Sequence, residues 1–412
     1  MSNDYKPLQG MSDIFGNDVH LFREIENIAH RVFNNYGYSE VRTPVLEKSD
    51  IFLHTLGGTS DIVQKEMYNF QDRGGRSIVL RPEGTAGVVR FLASKGEAGL
   101  NDKVYYLGPM FRCERPQAGR KRQFHQIGVE QTSNPNPLID AEVIALQCEL
   151  LHQWGVENIR IKINSLGSLD DQVNIRLGLL KSLEPYQNNF TKEEIERIHK
   201  NVLRFLDSKD EKYRKIINEL PSIQSFMSDE SKEYLEKVIN ILKSLDIEVE
   251  CDQNLVRGLD YYNRTVWEIT HDSLGSQNAL AGGGRYTIDI GKRKIDGVGF
   301  AMGVERILSA KPNAKNDIND EVKQGYWIIS LGSEAILENM KLARMLRNRG
   351  AKVGMDLEEK SMKSQLRRAD RFNALKVIIR GDNELNNDIV IIKDLDNHSQ
   401  EELPLKKLIE SI

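Results

Sequence analysis

Between residues 19 and 36, apolar side chains recur at Leu21, Ile25, Ile28 and Val32, and Gly37 follows. Spacings of three and four predict an amphipathic helix with a glycine just past its end. Residues 38–47 read as a strand that ends at Pro44, because proline has no amide to give to a ladder. Residues 77–81 (SIVLR) and 103–107 (KVYYL) predict two more strands, with a helix over 85–96 between them. Val143, Leu146 and Leu150 predict a helix over 140–154, and the alternation in 156–163 predicts a strand. From 167 to 246 lysine, glutamate and leucine dominate and strand signals vanish, which predicts a helical insertion. Strand-and-turn texture returns at 246–251 and runs through Arg306.

Residues 311–323 (KPNAKNDINDEVK) have linker composition. Beyond them the pattern predicts a strand over 326–331, a helix over 334–348, a strand over 351–357, a helix over 360–372 and strands over 375–380 and 388–393. That is a compact α/β domain of roughly 90 residues, an ordinary size for one folding unit. The expected organisation is a first domain over 1–310, with its insertion at 167–246, a linker over 311–323 and a second domain over 324–412. The fold class is α/β, with an α+β first domain.

A length of 412 residues agrees with two or three cores. Charged residues make up 29% of the chain, but they sum to −4. Any contact with nucleic acid must therefore come from local basic patches on an acidic body. Cys113, Cys148 and Cys251 are the three cysteines, odd in number and far apart, which argues against a disulfide framework and a zinc cage. The first fifteen residues hold no apolar run, and no stretch of 18 apolar residues occurs, so neither export nor a membrane span is expected. A reducing cytoplasm is the simplest setting.

Residues 105–130 (YYLGPMFRCERPQAGRKRQFHQIGVE) are the richest in chemistry. Two strands would flank a loop loaded with Arg115, Arg120, Lys121 and Arg122 and bent by Pro116 and Gly119. Arg112 and Glu114 would lie on the hairpin's floor. Arginine's planar fork suits phosphate, although runs of charge are often only solvated surface. Elsewhere, residues 297–307 (GVGFAMGVERI) form a glycine-rich strand-to-helix segment that by itself signifies no more than close packing. His125 beside this hairpin reads as a packed or hydrogen-bonded histidine and not as an acid or base. In the second domain Lys363, Arg367 and Arg371 share one helix face, beside an apolar stripe of Met362, Leu366 and Ala369.

Phe-Arg-x-Glu, a basic loop and Arg-x-Phe together resemble motif 2 of class II aminoacyl-tRNA synthetases. The segment ending at Pro44 is similar to motif 1, which builds a dimer interface in that class, and residues 297–307 are similar to motif 3. Two further peptides, LVRGLDYY at 255–262 and GGGRY at 282–286, together with LRPEGT at 80–85, resemble histidyl-tRNA synthetases. The resemblance runs from Gly10 to about residue 395. It implies an antiparallel sheet flanked by helices, an insertion set against the tRNA acceptor stem and a C-terminal anticodon-binding domain. It also implies a homodimer with ATP, its Mg²⁺, L-histidine and histidine tRNA as substrates, and no structural metal.

By the same resemblance Arg112 meets the α-phosphate and the substrate carboxylate, and Glu114 the adenine amino group. Phe124 stacks on adenine, Arg120 reaches the terminal phosphates and Arg306 holds the base or γ-phosphate. Arg257 sits at the α-phosphate as the catalytic cation. The histidine pocket would comprise Glu83, Thr85, Gln126, Glu130, Tyr261, Tyr262 and Tyr286, with Arg112 and Arg257 at its edge. The triple glycine would let backbone approach a ligand. Arg115 and Gln117 would touch the acceptor end of the tRNA, and Lys363, Arg367 and Arg371 its anticodon arm. Thr287 departs from the aspartate usual after GGGRY, and the loop that follows is short and basic. A non-catalytic regulatory paralogue of ATP phosphoribosyltransferase is the main alternative. Arg112, Arg257, Arg306 and the full second domain argue against it.

Overall fold

The structure, a computed structural model, describes residues 5–411 apart from 59, 100, 116–119, 207, 209, 276–277, 312–322 and 398. Contacts divide the chain into two compact units, Met1–Ala314 and Lys315–Ile412. Most of the linker expected at 311–323 lies outside the described residues.

The first unit begins with α1 (Asn17–Asn35). Gly37 follows it at φ 77°, a backbone angle that suits glycine past a helix end. The strand expected over 38–47 is instead two short pieces, β1 (Ser39–Glu40) and β2 (Leu46–Lys48). Between them, the Thr43 and Val45 carbonyls are taken by the side-chain and backbone N–H groups of Arg81, so no ladder continues across Pro44. After α2 (Ser49–Leu56) come β3 (Tyr68–Gln71) and β4 (Ser77–Leu80), which join β2 in a small antiparallel sheet ordered β2-β4-β3.

Helix α3 (Thr85–Ser94) leads to the long hairpin of β5 (Lys103–Phe111) and β6 (Gln123–Thr132). Helix α4 (Pro137–Gln153) starts three residues earlier than the apolar spacing suggests, because Asn136 caps it with Pro137 at the first position. Strand β7 (Arg160–Ser165) starts four residues later than expected, since Asn158 turns the chain at φ 56°.

The stretch from 167 to 246 is helical, as its composition predicts. It carries α5 (Leu169–Leu183), α6 (Lys192–Lys200), α7 (Val202–Leu206), α8 (Glu211–Glu219) and α9 (Asp229–Ser244). Its last helix is not peripheral: Tyr234, Leu235, Val238 and Leu242 of α9 share one core with α1 and α4. Then follow β8 (Glu250–Cys251), β9 (Tyr262–Thr270), β10 (Ala279–Ile290), β11 (Arg293–Gly303) and α10 (Val304–Ala310).

These strands form one sheet ordered β1-β5-β6-β11-β10-β9-β7-β8, parallel only at its two outer pairs. Alternation along the strands gives the sheet two different faces. Ile127, Val129, Val298, Phe300, Met302 and Trp267 pack with α1, α4 and α9 on one face. Tyr262, Val266, Tyr286, Ile288 and Ile295 join α2, α3 and the insertion helices on the other. A buried ion pair ties α4 to β10: Arg285, 1% exposed, donates to Asp140, which is fully buried. Tyr234 and Thr265 also donate to Asp140, so every side-chain partner of that carboxylate comes from a different element. Departure from family usage at Thr287 has a local answer, since its hydroxyl donates to Asp296 and accepts from Asn263. The short loop after it is a tight turn at Gly291 and Lys292 that pairs Ile290 with Arg293.

The second unit holds β12 (Tyr326–Leu331), α11 (Ser333–Asn348), β13 (Val353–Met355), α12 (Met362–Arg371), β14 (Lys376–Gly381), α13 (Asp382–Asn386), β15 (Ile389–Asp394), β16 (Gln400–Pro404) and α14 (Leu405–Glu410). Its sheet runs β13-β12-β14-β15-β16, parallel around β12 and antiparallel beyond β14. Strand β16 and helices α13 and α14 have no counterpart in the sequence-based expectation. Among the described residues no helix is long and apolar enough to cross a membrane.

Candidate active site

A cavity of about 460 Å³ opens on the sheet face opposite α4, and its lining follows the strand period. On β6 the positions Phe124, Gln126, Gly128 and Glu130 share one face, and three of them line the cavity. On β11, Gly299, Ala301 and Gly303 face it, while Val298 and Met302 enter the opposite core. Side chains on β11 would fill the space: a Cβ on Gly299 would overlap Glu130 Oε2. The motif GVGFAMG thus encodes both a large apolar face and a small open one.

The GGGRY segment divides in the same way. Gly282 makes room for the Arg257 guanidinium and Gly284 for the Tyr262 ring, while Gly283 lies against Trp267 and the Gly299 carbonyl. Three protein side chains thus take the space beside these glycines, and of the three Gly282 lines the cavity. Tyr286 points into the cavity and Arg285 away from it, into the pair with Asp140.

One end of the cavity is acidic and phenolic. Both Glu83 carboxylate oxygens accept backbone N–H groups at the start of α3, from Thr85 and Ala86, each at 2.8 Å. Burial pushes the Glu83 carboxyl above its ordinary range, and those two bonds oppose the shift. Glu130, 1% exposed, is pushed up to about 8 by burial, with the neighbouring Glu83 charge adding to the rise. Its Oε2, the Tyr286 hydroxyl and the Gln126 carbonyl oxygen have no hydrogen-bond partner among the described residues. Thr85 and Tyr286 stand near enough to lower the Glu130 pKa but not in bonding geometry. Tyr261 stacks edge-on against Tyr262, with ring centroids 4.6 Å apart, and against Tyr286 at 5.8 Å. Buried polar atoms left open in this way cost free energy, so this end suits a ligand that brings its own donors.

The other end is cationic and flat. Arg112 donates to the Pro82 carbonyl at 2.9 Å, and its guanidinium lies 5.3 Å from the centre of the Phe124 ring. Arg120 donates to Glu114 at 3.1 Å. Burial lowers the Arg306 pKa and the nearby Arg120 charge adds to this, an arrangement that an anion would relieve. Arg257 lies between the two ends: its charge acts on Tyr262, and it donates to Glu268, whose own charge reaches Arg306. Among the described lining residues there is no serine, cysteine or histidine. The fixed arginine charges can position an anionic ligand and stabilise charge that develops on it.

Thirteen expected residues line this one cavity: Glu83, Thr85, Arg112, Glu114, Arg120, Phe124, Gln126, Glu130, Arg257, Tyr261, Tyr262, Tyr286 and Arg306. Arg115 is exposed in the hairpin loop, and Gln117 lies outside the described residues. His125 is occupied elsewhere: its ring and backbone N–H meet Glu305 at 3.1 and 3.0 Å, and its ring packs edge-on against Phe22. Lys363, Arg367 and Arg371 are exposed together on α12 of the second unit. Of the apolar stripe beside them, Leu366 and Ala369 join a core of the second unit, but Met362 is 40% exposed. Gln365 takes the buried place, bonding both the N–H and the carbonyl of Ser330 on β12. Sequence reasoning missed four lining carboxylates, Asp61, Glu66, Glu268 and Glu305. Glu268 was legible, since it shares a strand face with Tyr262 six residues earlier. Glu66 was not, for it ends the irregular turn of Ile62–Glu66. Among the described residues no group of three or more His, Cys, Asp or Glu could hold a metal ion.

The histidyl-tRNA synthetase family model matches residues 10–307, and that of the anticodon binding domain matches 326–412. A histidine–tRNA ligase of Bacillus cytotoxicus is 42% identical over 405 residues, covering 96% of each chain. The apo histidyl-tRNA synthetase of S. aureus superposes with a TM-score of 0.82 at 34% identity, over 98% of this chain and 99% of that one. An ATP phosphoribosyltransferase regulatory subunit/histidyl-tRNA synthetase from Bacillus halodurans reaches 0.66 at 22% identity, covering 92% of this chain and 99% of its own; that likeness extends to the fold alone. With a family model over most of its length and relatives of this identity, the chain belongs to the histidyl-tRNA synthetase family.

Proposed function

We propose that this chain activates L-histidine with ATP and passes the histidyl group to the 3′ end of histidine tRNA. The observation that carries this reading is the pairing, in one cavity, of an unsatisfied acid–tyrosine end with an arginine end. Glu130 takes the α-ammonium through its open oxygen. Glu83, Tyr261, Tyr262 and Tyr286 surround the imidazole, with Thr85 and Gln126 completing the wall. Phe124 and Arg306 enclose the adenine, Glu114 accepts from its amino group, and Arg120 holds the terminal phosphates. ATP enters as its magnesium complex, which neutralises the leaving pyrophosphate.

Arg112 draws the histidine carboxylate and the α-phosphate together. The carboxylate oxygen bonds to the α-phosphorus as the bond from that phosphorus to the bridging oxygen breaks. Pyrophosphate leaves, and Arg257 stabilises the charge that builds on the phosphoryl oxygens. In the second step the terminal ribose hydroxyl of the tRNA attacks the carbonyl carbon of the adenylate, and AMP leaves. Residues 1–310 form the catalytic domain, with the insertion against the acceptor stem and 324–412 on the anticodon arm. Arg115 and Gln117 touch the acceptor end. The chain works in the cytoplasm as a homodimer built on the motif 1 segment.

The test is histidine-dependent exchange of pyrophosphate into ATP. Histidine is expected to support it and no other amino acid at a comparable rate. Exchange with proline, threonine or glycine instead would overturn the pocket assignment.

A further inference from the structure

Arg257 sits on irregular backbone, between β8 and β9, where no ladder holds it. Three anchors fix this loop. Asn164 donates to the carbonyls of Gln253 and Leu255 on the side toward β8. Thr287 donates its backbone N–H to the Tyr261 carbonyl at the other end. The middle of the loop, immediately after Arg257, is held from the helical insertion. Arg204 on α7 donates to the Gly258 carbonyl at 2.7 Å and to Asp260 Oδ1 at 3.4 Å, and Asn201 donates to the same Oδ1 at 3.0 Å.

The same guanidinium also meets Asp61 at 3.4 Å. Asp61 and Gly258 line the cavity described above and a second one of about 400 Å³ beside it, which Arg204 and the insertion residues Arg197, Lys200 and Asn201 also line. Arg204 therefore stands in the partition between the two. It joins three segments far apart in sequence: the insertion, the Arg257 loop and the turn that carries Glu66. A planar fork with several fixed donors can hold a carbonyl and a carboxylate at once in one set geometry, which a lysine's rotatable ammonium does not fix.

We propose that Arg204 is a positioning residue for Arg257. By fixing the Gly258 carbonyl and Asp260, it sets the angle at which the preceding side chain enters the cavity, and it makes the rate of adenylate formation depend on the seating of the insertion. This rests on the role given to Arg257 under the proposed function. Misplacing a catalytic group by about 1 Å can cost on the order of 10²-fold in rate without loss of substrate binding.

The experiment is pyrophosphate exchange with histidine, on full-length protein, for Arg204→Ala, Arg204→Lys, Arg257→Ala and the double variant Arg204→Ala/Arg257→Ala. Arg204→Ala is expected to lower kcat by roughly 10- to 100-fold, with KM for histidine and ATP within about 3-fold of wild type. Arg204→Lys is expected to recover part of that loss, since one donor can still reach one acceptor. The double variant is expected to be no slower than Arg257→Ala alone, because a residue that acts only through another adds nothing once its target is gone. Melting temperatures separate loss of fold from loss of rate, and the lysine variant carries the test if the alanine variant unfolds. Wild-type kcat in Arg204→Ala would overturn the proposal, as would losses that multiply in the double variant. Wild-type exchange in Arg257→Ala would instead overturn the role of Arg257 itself.

Discussion

Burial holds the Glu130 carboxyl protonated up to about pH 8, against an ordinary value of 4.5. A carboxyl with a higher pKa in the fold binds its proton more tightly there than in the unfolded chain. Its contribution to stability is therefore full at low pH and is lost as pH rises from about 4.5 to about 8. Glu130→Gln is expected to flatten the fall in melting temperature of the ligand-free protein across that window, leaving the part that belongs to Glu83. Histidine binding should have the opposite dependence. An α-ammonium pairs only with the ionised carboxylate, so binding near pH 7 releases a proton and tightens as pH approaches 8. Calorimetry in buffers of different ionisation enthalpy measures that proton. Glu130→Gln should bind histidine more weakly and release less; equal release by wild type and variant would refute the pairing.

Single strands separate packing from chemistry at the scale of elements. On β10 a methyl at Gly282 meets the mobile end of Arg257, whereas one at Gly283 meets the Gly299 carbonyl and the buried Trp267 ring. Gly282→Ala is expected to slow adenylate formation with little change in melting temperature. Gly283→Ala is expected to cost about 1–3 kcal/mol of stability, the usual range for overpacking, because neither backbone nor indole can yield. Denaturant melts beside exchange assays distinguish the two, and equal melts would contradict the division of this strand. On α12 the buried amide of Gln365 substitutes for an apolar side chain by bonding Ser330 on both sides. Gln365→Leu would leave the Ser330 N–H and carbonyl without that partner, at about 1–3 kcal/mol. An unchanged melt of the second unit would show that those groups find another.

At the scale of the whole molecule, the expected functional residues divide between the two units. Every expected adenylation residue lies in Met1–Ala314, and the basic face of Lys363, Arg367 and Arg371 lies in Lys315–Ile412. A truncation ending near residue 320 is expected to retain histidine-dependent exchange and to charge tRNA poorly, once circular dichroism shows that it is folded. Its tRNA binding should also fall less steeply with salt, since each lost phosphate contact makes the slope shallower by about one unit. A folded fragment that charges as well as the full chain would remove the second unit from tRNA recognition. One that forms no adenylate would move the domain boundary.

Most element types and their order were legible in the residues, and the resemblance of their motifs pointed to the residues of the cavity. Period-2 and period-3.6 patterns mark which side chains can share a face, and basic and glycine-rich motifs have few alternative uses when they occur together in order. The helix at 17–35, the hairpin around the basic loop and, apart from α13, the second unit through residue 394 follow from such local signals. Tertiary structure decided what local pattern leaves open. It assigned each glycine of GGGRY to a side chain, sent Arg285 to Asp140 and placed α9 in the main core. It also raised Glu130 to about 8, a shift caused by burial under other segments and invisible in the residue's own neighbourhood. Arg204 is the clearest case: its partners lie 54 and 143 residues away, and one of them adjoins Arg257. Contacts between distant segments depend on how the elements come together, and no periodicity in the chain records that.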